Sequence, residues 1–127
     1  MSAPLPITVR VAIFVRDEGT CVYCSATYQA GAKLTVDHVV SRKRGGGDEV
    51  TNLVTACLAC NHDKAHFSLR AYLVELADRG ATPGHTDAIA ARLEAACKTP
   101  VVWSAVKSAL ALYREHGRLP FGEGDGG

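Results

Sequence analysis

Two Cys-x-x-Cys pairs, Cys21/Cys24 and Cys57/Cys60, bracket an Asp37-His38 pair and Asn52, and a second asparagine, Asn61, directly follows the last cysteine. Four thiolates hold a tetrahedral Zn²⁺ well, and a two-residue gap lets both sulfurs of a pair reach one ion from a tight turn. Thirty-two residues lie between Cys24 and Cys57, longer than common zinc-ribbon spacing and enough for a strand–loop–strand unit. A structural zinc would therefore tie the first pair to the start of a helix after Cys60. Buried thiols or a redox pair would explain one Cys-x-x-Cys, but two matched pairs favour zinc. Cys97 has no sequence partner and reads as a small apolar residue on an Ala-rich helix face.

The residues between the pairs suit a different ion. On a strand, neighbouring side chains point to opposite faces, so Asp37 and His38 cannot both aim at one metal. The useful arrangement has Asp37 as ligand and His38 to one side as general base, since a neutral imidazole near pH 7 can deprotonate water. Alone, the pair is more simply a surface feature of a strand end. Asn61 changes the balance, because a zinc-fixed helix start would hold its amide oxygen in a determined place. Carboxylate and amide oxygens suit Mg²⁺ or Mn²⁺, although an Asn there could equally cap the helix. His62 competes as an alternative ligand, since it shares a helix face with His66 at i+4 and the two could hold a softer ion. Asn52, after the glycine loop, can bond backbone groups across it and fix where His38 points, or can be an ordinary turn residue. Arg42, Lys43, Arg44 and Lys64 are the candidate phosphate contacts, the alternative being a solvated charge run.

Several elements must position these groups. Ile7 to Val15 alternates as a strand would, yet Ile7, Val11, Phe14 and Val15 also fit one helical face. Lys33 to Val40 reads as a strand, Arg44 to Asp48 as a flexible glycine loop and Val50 to Thr55 as a second strand, antiparallel to the first. A helix is expected from about Leu58 to Arg79, ended by Gly80. Residues 81–84 read as a linker turn and 86–97 as an Ala-rich helix. Thr99-Pro100 is expected to open a last helix running to His116, closed by Gly117. Residues 118–127 read as a disordered tail.

At 127 residues the chain is expected to form one small domain. Its composition, 47% hydrophobic with only eight aromatic side chains (three Phe, four Tyr and one Trp), gives a modest core that a metal would help to hold. A formal charge of +1 makes any nucleic-acid footprint local. An odd cysteine count and an N-terminus without a basic start or clean apolar stretch argue against a secreted disulfide framework. No apolar run approaches the ~20 residues of a membrane span. The expectation is a soluble, cytoplasmic protein with no membrane partner.

Taken in order, Arg16-Asp17, Cys21-x-x-Cys24, Val36-Asp37-His38-Val39-Val40, Arg44-Gly45-Gly46, Asn52-Leu53-Val54 and Cys57-x-x-Cys60-Asn61-x-x-Lys64 resemble the HNH endonucleases of the ββα-metal superfamily. The resemblance covers roughly residues 10–66. It implies an α+β fold: a ββα-metal core with a structural zinc site and an N-terminal helix, to which this chain adds a C-terminal helical extension. Residues 6–17 are read as helical on that ground. The expected organisation is a nuclease domain over 1–80 (core about 33–78); residues 67–127 match no family pattern, and 81–117 are read from their own pattern as a helical extension packed on or beside it. That extension is also where a protein partner would dock. The resemblance further implies a DNA endonuclease with His38 as general base, Asp37 and Asn61 as ligands of Mg²⁺ or Mn²⁺, and Asn52 orienting the loop. Double-stranded DNA would be the substrate, cut to leave 5′-phosphate and 3′-hydroxyl ends. The final His of the family's name falls at Asn61, an H-N-N variant. The alternative is a non-catalytic zinc module that binds nucleic acid or protein.

Overall fold

The computed structural model describes residues 4–117, so the tail expectation for 118–127 lies outside the described residues. The centre is an antiparallel hairpin of β1 (Leu34–His38) and β2 (Leu53–Cys57), in register from Leu34 opposite Cys57 to His38 opposite Leu53. Both faces of this hairpin are covered. Leu34, Val36 and Leu53 join one apolar cluster with α1 (Ile7–Arg16) and α5 (Trp103–His116), while Val54 and Ala56 join another with Tyr23, Tyr72 and α4 (Pro83–Lys98). Strands buried on both sides need apolar residues at nearly every position, which is why Leu34–Asp37 and all of β2 are buried and the alternation is blurred.

The N-terminal segment is helical, against the preference of its β-branched residues. Burial outweighs propensity there: Val11, Ala12, Ile13 and Phe14 are fully enclosed. The helix is tied to the hairpin through its last residue. Arg16 donates to the carbonyls of Val50 (2.7 Å) and Leu53 (2.6 Å), and Asp17 beside it accepts from the Thr55 amide at 2.8 Å.

The second strand begins three residues later than the sequence suggests, because Val50–Asn52 forms a 3₁₀ turn. The expected helix 58–79 is two helices, α2 (Leu58–Lys64) and α3 (Leu69–Asp78). Ala65 breaks it at φ 48°, and Ser68 caps α3 by accepting from the Ala71 amide. At the C-terminal side, Thr82 caps α4 with Pro83 at its first position, so the expected linker turn is already helical. Thr99 ends α4, donating to Ala95 O at 2.7 Å, rather than opening the last helix. That helix starts at Trp103 and closes at Gly117 in the left-handed region, φ 73°. No helix among the described residues is long and apolar enough to cross a membrane.

Candidate metal centre and hydrolytic site

The four sulfurs of Cys21, Cys24, Cys57 and Cys60 lie within 4.8 Å of one another. Four Zn–S bonds of about 2.3 Å in a tetrahedron put the sulfurs ~3.8 Å apart, and Cys24 Sγ and Cys57 Sγ are 3.7 Å apart. The set fits a zinc ion in chemistry and in size. Both knuckles are shaped by the backbone. The Cys21 amide donates to Ala26 O (2.8 Å), and the Val22 amide donates to Thr55 O (3.0 Å), which fastens the first knuckle to β2. Cys57 caps α2 and accepts from the Cys60 amide. From α4, Arg92 donates to Val22 O and Tyr23 O, both at 2.9 Å. Hydrogen bonding from Cys60 draws the Cys21 thiol down to about 5, and the same contact pushes Cys60 up.

The hairpin end sorts the remaining candidates by face. Asp37 is buried, 5% exposed. Its Oδ2 accepts from Tyr23 Oη at 2.5 Å and lies 3.3 Å from Lys64 Nζ. Burial pushes the Asp37 carboxyl up, opposed by Lys64 and Tyr23. Asn61 lies on this side of β1, its Nδ2 3.4 Å from Thr35 Oγ1, and its amide oxygen has no protein partner among the described residues. His62 lines a hollow with Ala26, Lys33 and Leu58, and α2 ends at Lys64, so His62 and His66 do not lie on one continuous helix face. Among the described residues no second group of His, Cys, Asp and Glu converges as the cysteines do.

His38 emerges from the opposite face of β1 at the mouth of the loop. Its Nε2 is 2.8 Å from Asp48 Oδ1, and Arg42 donates to both Asp48 oxygens, from Nε at 2.9 Å and Nη2 at 3.0 Å. Sequence reasoning missed Asp48, which sits in the glycine run with nothing local to mark it. Arg42 and His38 hold its carboxyl down at about 2. An ionised carboxylate can only accept, so the contact assigns an Nε2 proton to His38, and Nδ1 has no protein partner among the described residues. The folded value is depressed, so this link is intact above the ordinary carboxylate value of 3.8 and is lost as pH falls through about 2. NMR of the Asp48 carboxyl carbon should accordingly titrate near 2; a midpoint near 3.8 would mean the link is absent in solution.

Asn52 frames this loop. Its Oδ1 accepts from the Val40 amide (2.9 Å), and its Nδ2 donates to Val40 O (3.0 Å) and Gly47 O (2.9 Å). Gly46 permits the close approach, since a Cβ there would lie 1.8 Å from Val40 O. The four expected phosphate contacts divide. Lys43 is exposed and has no partner among the described residues. Arg44 is exposed and donates to His66 O, while Arg42 is committed to Asp48. Lys64 is the correction: it is fully buried, donates to His38 O at 3.2 Å, and cannot meet a phosphate from that position.

A two-stranded hairpin packed with a helix, beside a four-cysteine cluster that could hold a metal, defines an α+β fold of the ββα type. Residues 21–67 match the family model of the HNH endonucleases, and the cysteines positioned for a metal fit a zinc-knuckle variant. That match supports a nuclease-type function. No curated protein and no solved structure gave a significant match.

Proposed function

We propose that the chain is a metal-dependent DNA endonuclease that hydrolyses phosphodiester bonds with His38 as general base. The supporting observation is the Arg42–Asp48–His38 link, with His38 Nε2 2.8 Å from Asp48 Oδ1, which leaves Nδ1 free to take a proton. His38 Nδ1 removes the proton from an attacking water, and Asp48 stabilises the resulting imidazolium. The water oxygen bonds to phosphorus as the P–O3′ bond breaks, and the 3′-oxygen takes a proton from solvent, giving 5′-phosphate and 3′-hydroxyl ends. Asn52 holds the loop, and hence Asp48, against the hairpin.

Asp37 and Asn61 are the residues that would hold the catalytic ion, Asn61 through its amide oxygen and Asp37 through Oδ1, because Asp37 Oδ2 is engaged by Tyr23 Oη and Lys64 Nζ. Such a hard, sparse donor set suits Mg²⁺ or Mn²⁺, which keep several waters and bind phosphate as well. When bound, the ion supplies positive charge to the departing 3′-oxygen. The four cysteines would carry structural zinc, and Lys43 and Arg44 are the remaining candidates for backbone contact with duplex DNA.

Supercoiled plasmid incubated with the zinc-loaded protein and Mg²⁺ or Mn²⁺ should be nicked or linearised, and His38→Ala should slow this at least ~10²-fold without loss of zinc. Cleavage unchanged by His38→Ala would remove the assignment of the base. No nicking with either ion, by folded zinc-loaded protein, would leave a binding module.

A further inference from the structure

The chain's one tryptophan is not in a core. Trp103 is 52% exposed at the start of α5 and borders a groove of about 450 Å³ between α1 and α5, lined by Thr8, Trp103, Val106, Lys107, Leu110 and Arg114. Trp103, Lys107, Leu110 and Arg114 follow one another at four, three and four residues, so they form one stripe along the helix. Lys107 and Arg114 are exposed and have no hydrogen-bond or ion-pair partner among the described residues. No acidic side chain lines the groove; α1 has none, and the one in α5, Glu115, is not among the lining residues. The groove lies on the α1–α5 side of the hairpin, the side to which Val36 and His38 point, apart from the cysteine cluster.

An exposed indole at one end of a stripe that carries two unpaired cations, with apolar walls and no acid, matches what an unpaired base and the phosphates on one side of it require. Every base has a π-face to stack on an indole, and the cations supply sequence-independent attraction to phosphate. We infer that the α1–α5 groove binds a single-stranded segment of nucleic acid, with a base stacked on Trp103 and backbone phosphates on Lys107 and Arg114. This surface would hold an unpaired strand near a cleavage site, and to that extent it rests on the nuclease reading.

Because Trp103 is the only tryptophan, emission excited beyond the absorption of the tyrosines reports on the groove. Titrating the full zinc-loaded chain, without added Mg²⁺ or Mn²⁺, with oligothymidylate or oligouridylate should quench and shift its emission. The better quencher identifies the source of the strand as DNA or RNA. By anisotropy of a labelled oligonucleotide, Trp103→Ala should weaken binding about tenfold or more, and Trp103→Phe should restore much of it. Lys107→Gln and Arg114→Gln should each reduce the slope of log affinity against log salt by about 0.7. Unquenched emission, or binding indifferent to all three positions, would overturn the inference. So would a concentration-dependent dimer that buries Trp103, which would make a second copy the occupant. Plasmid cleavage reads the other proposal separately: nicking without quenching fails the groove alone, and quenching without nicking fails the nuclease alone.

Discussion

Replacing Cys57 by serine is expected to abolish cooperative folding rather than merely to weaken a metal site. Cys57 closes β2, caps α2 and sits opposite Leu34 at one end of the hairpin, so three elements depend on where its sulfur is held. Structural zinc in small domains contributes about 10–16 kcal/mol at neutral pH, while a domain of this size has a net stability of about 5–15 kcal/mol. The loss is therefore as large as everything the fold has. Of the two apolar clusters, the one containing Cys21 and Cys57 is made largely of parts that the sulfurs bring together: the knuckle, α4, and Tyr72 of α3.

The parent protein should carry about one zinc per chain and show a single cooperative thermal transition by circular dichroism. Cys57→Ser, or prolonged chelation, should remove both. Hydrogen exchange should show protection lost first at residues 21–26 and in α2, the segments that carry the four cysteines or follow directly from them. The α1–α5 pair shares an apolar cluster that contains none of the four cysteines and should retain protection longest. A metal-free variant melting within a few degrees of the parent would show that the apolar clusters suffice.

The part of this arrangement that a sequence reveals is the part carried by local spacing. Sulfur ligands two residues apart announce themselves, and Asn52 between a glycine loop and an apolar run can be placed against that loop. Groups whose meaning depends on a distant partner do not. Asp48 reads as a turn residue until the Arg42–Arg44 turn brings it onto His38, ten residues back. Lys64 follows a Cys-x-x-Cys-Asn run on a short helix and looks like a surface cation; it is enclosed because Asp37, distant in sequence, faces the same side. The α2–α3 break has neither glycine nor proline to mark it, since Ala65 takes a positive φ while Arg44 holds the next carbonyl. In the N-terminal segment, alternation and propensity both favour a strand, and burial against the hairpin and α5 decides for a helix. Thr99 and Pro100 illustrate a further ambiguity, because the same pair can end one helix or open the next.

The enclosed pair makes the second large prediction. Lys64 is fully buried and Asp37 nearly so, with Nζ 3.3 Å from Oδ2. Removing one partner of such a pair leaves an uncompensated buried charge, at a cost of about 3–5 kcal/mol. Lys64→Met keeps most of the volume and should therefore lower the melting temperature by roughly 10–20 °C. The remaining carboxylate would be driven further toward its protonated form, because burial already pushes it up and Lys64 is the main influence pulling it back. Converting Asp37 to asparagine in the same chain removes the charge, and the Tyr23 hydroxyl retains an oxygen acceptor at position 37. The double variant should recover much of the lost stability, since replacing both ends of a buried pair is often near neutral. A double-mutant cycle that is merely additive would show that Lys64 is held by its aliphatic packing and its bond to His38 O, not by Asp37. The same double variant separates stability from chemistry, because a chain restored to parental stability but without the Asp37 carboxylate should still fail to nick plasmid.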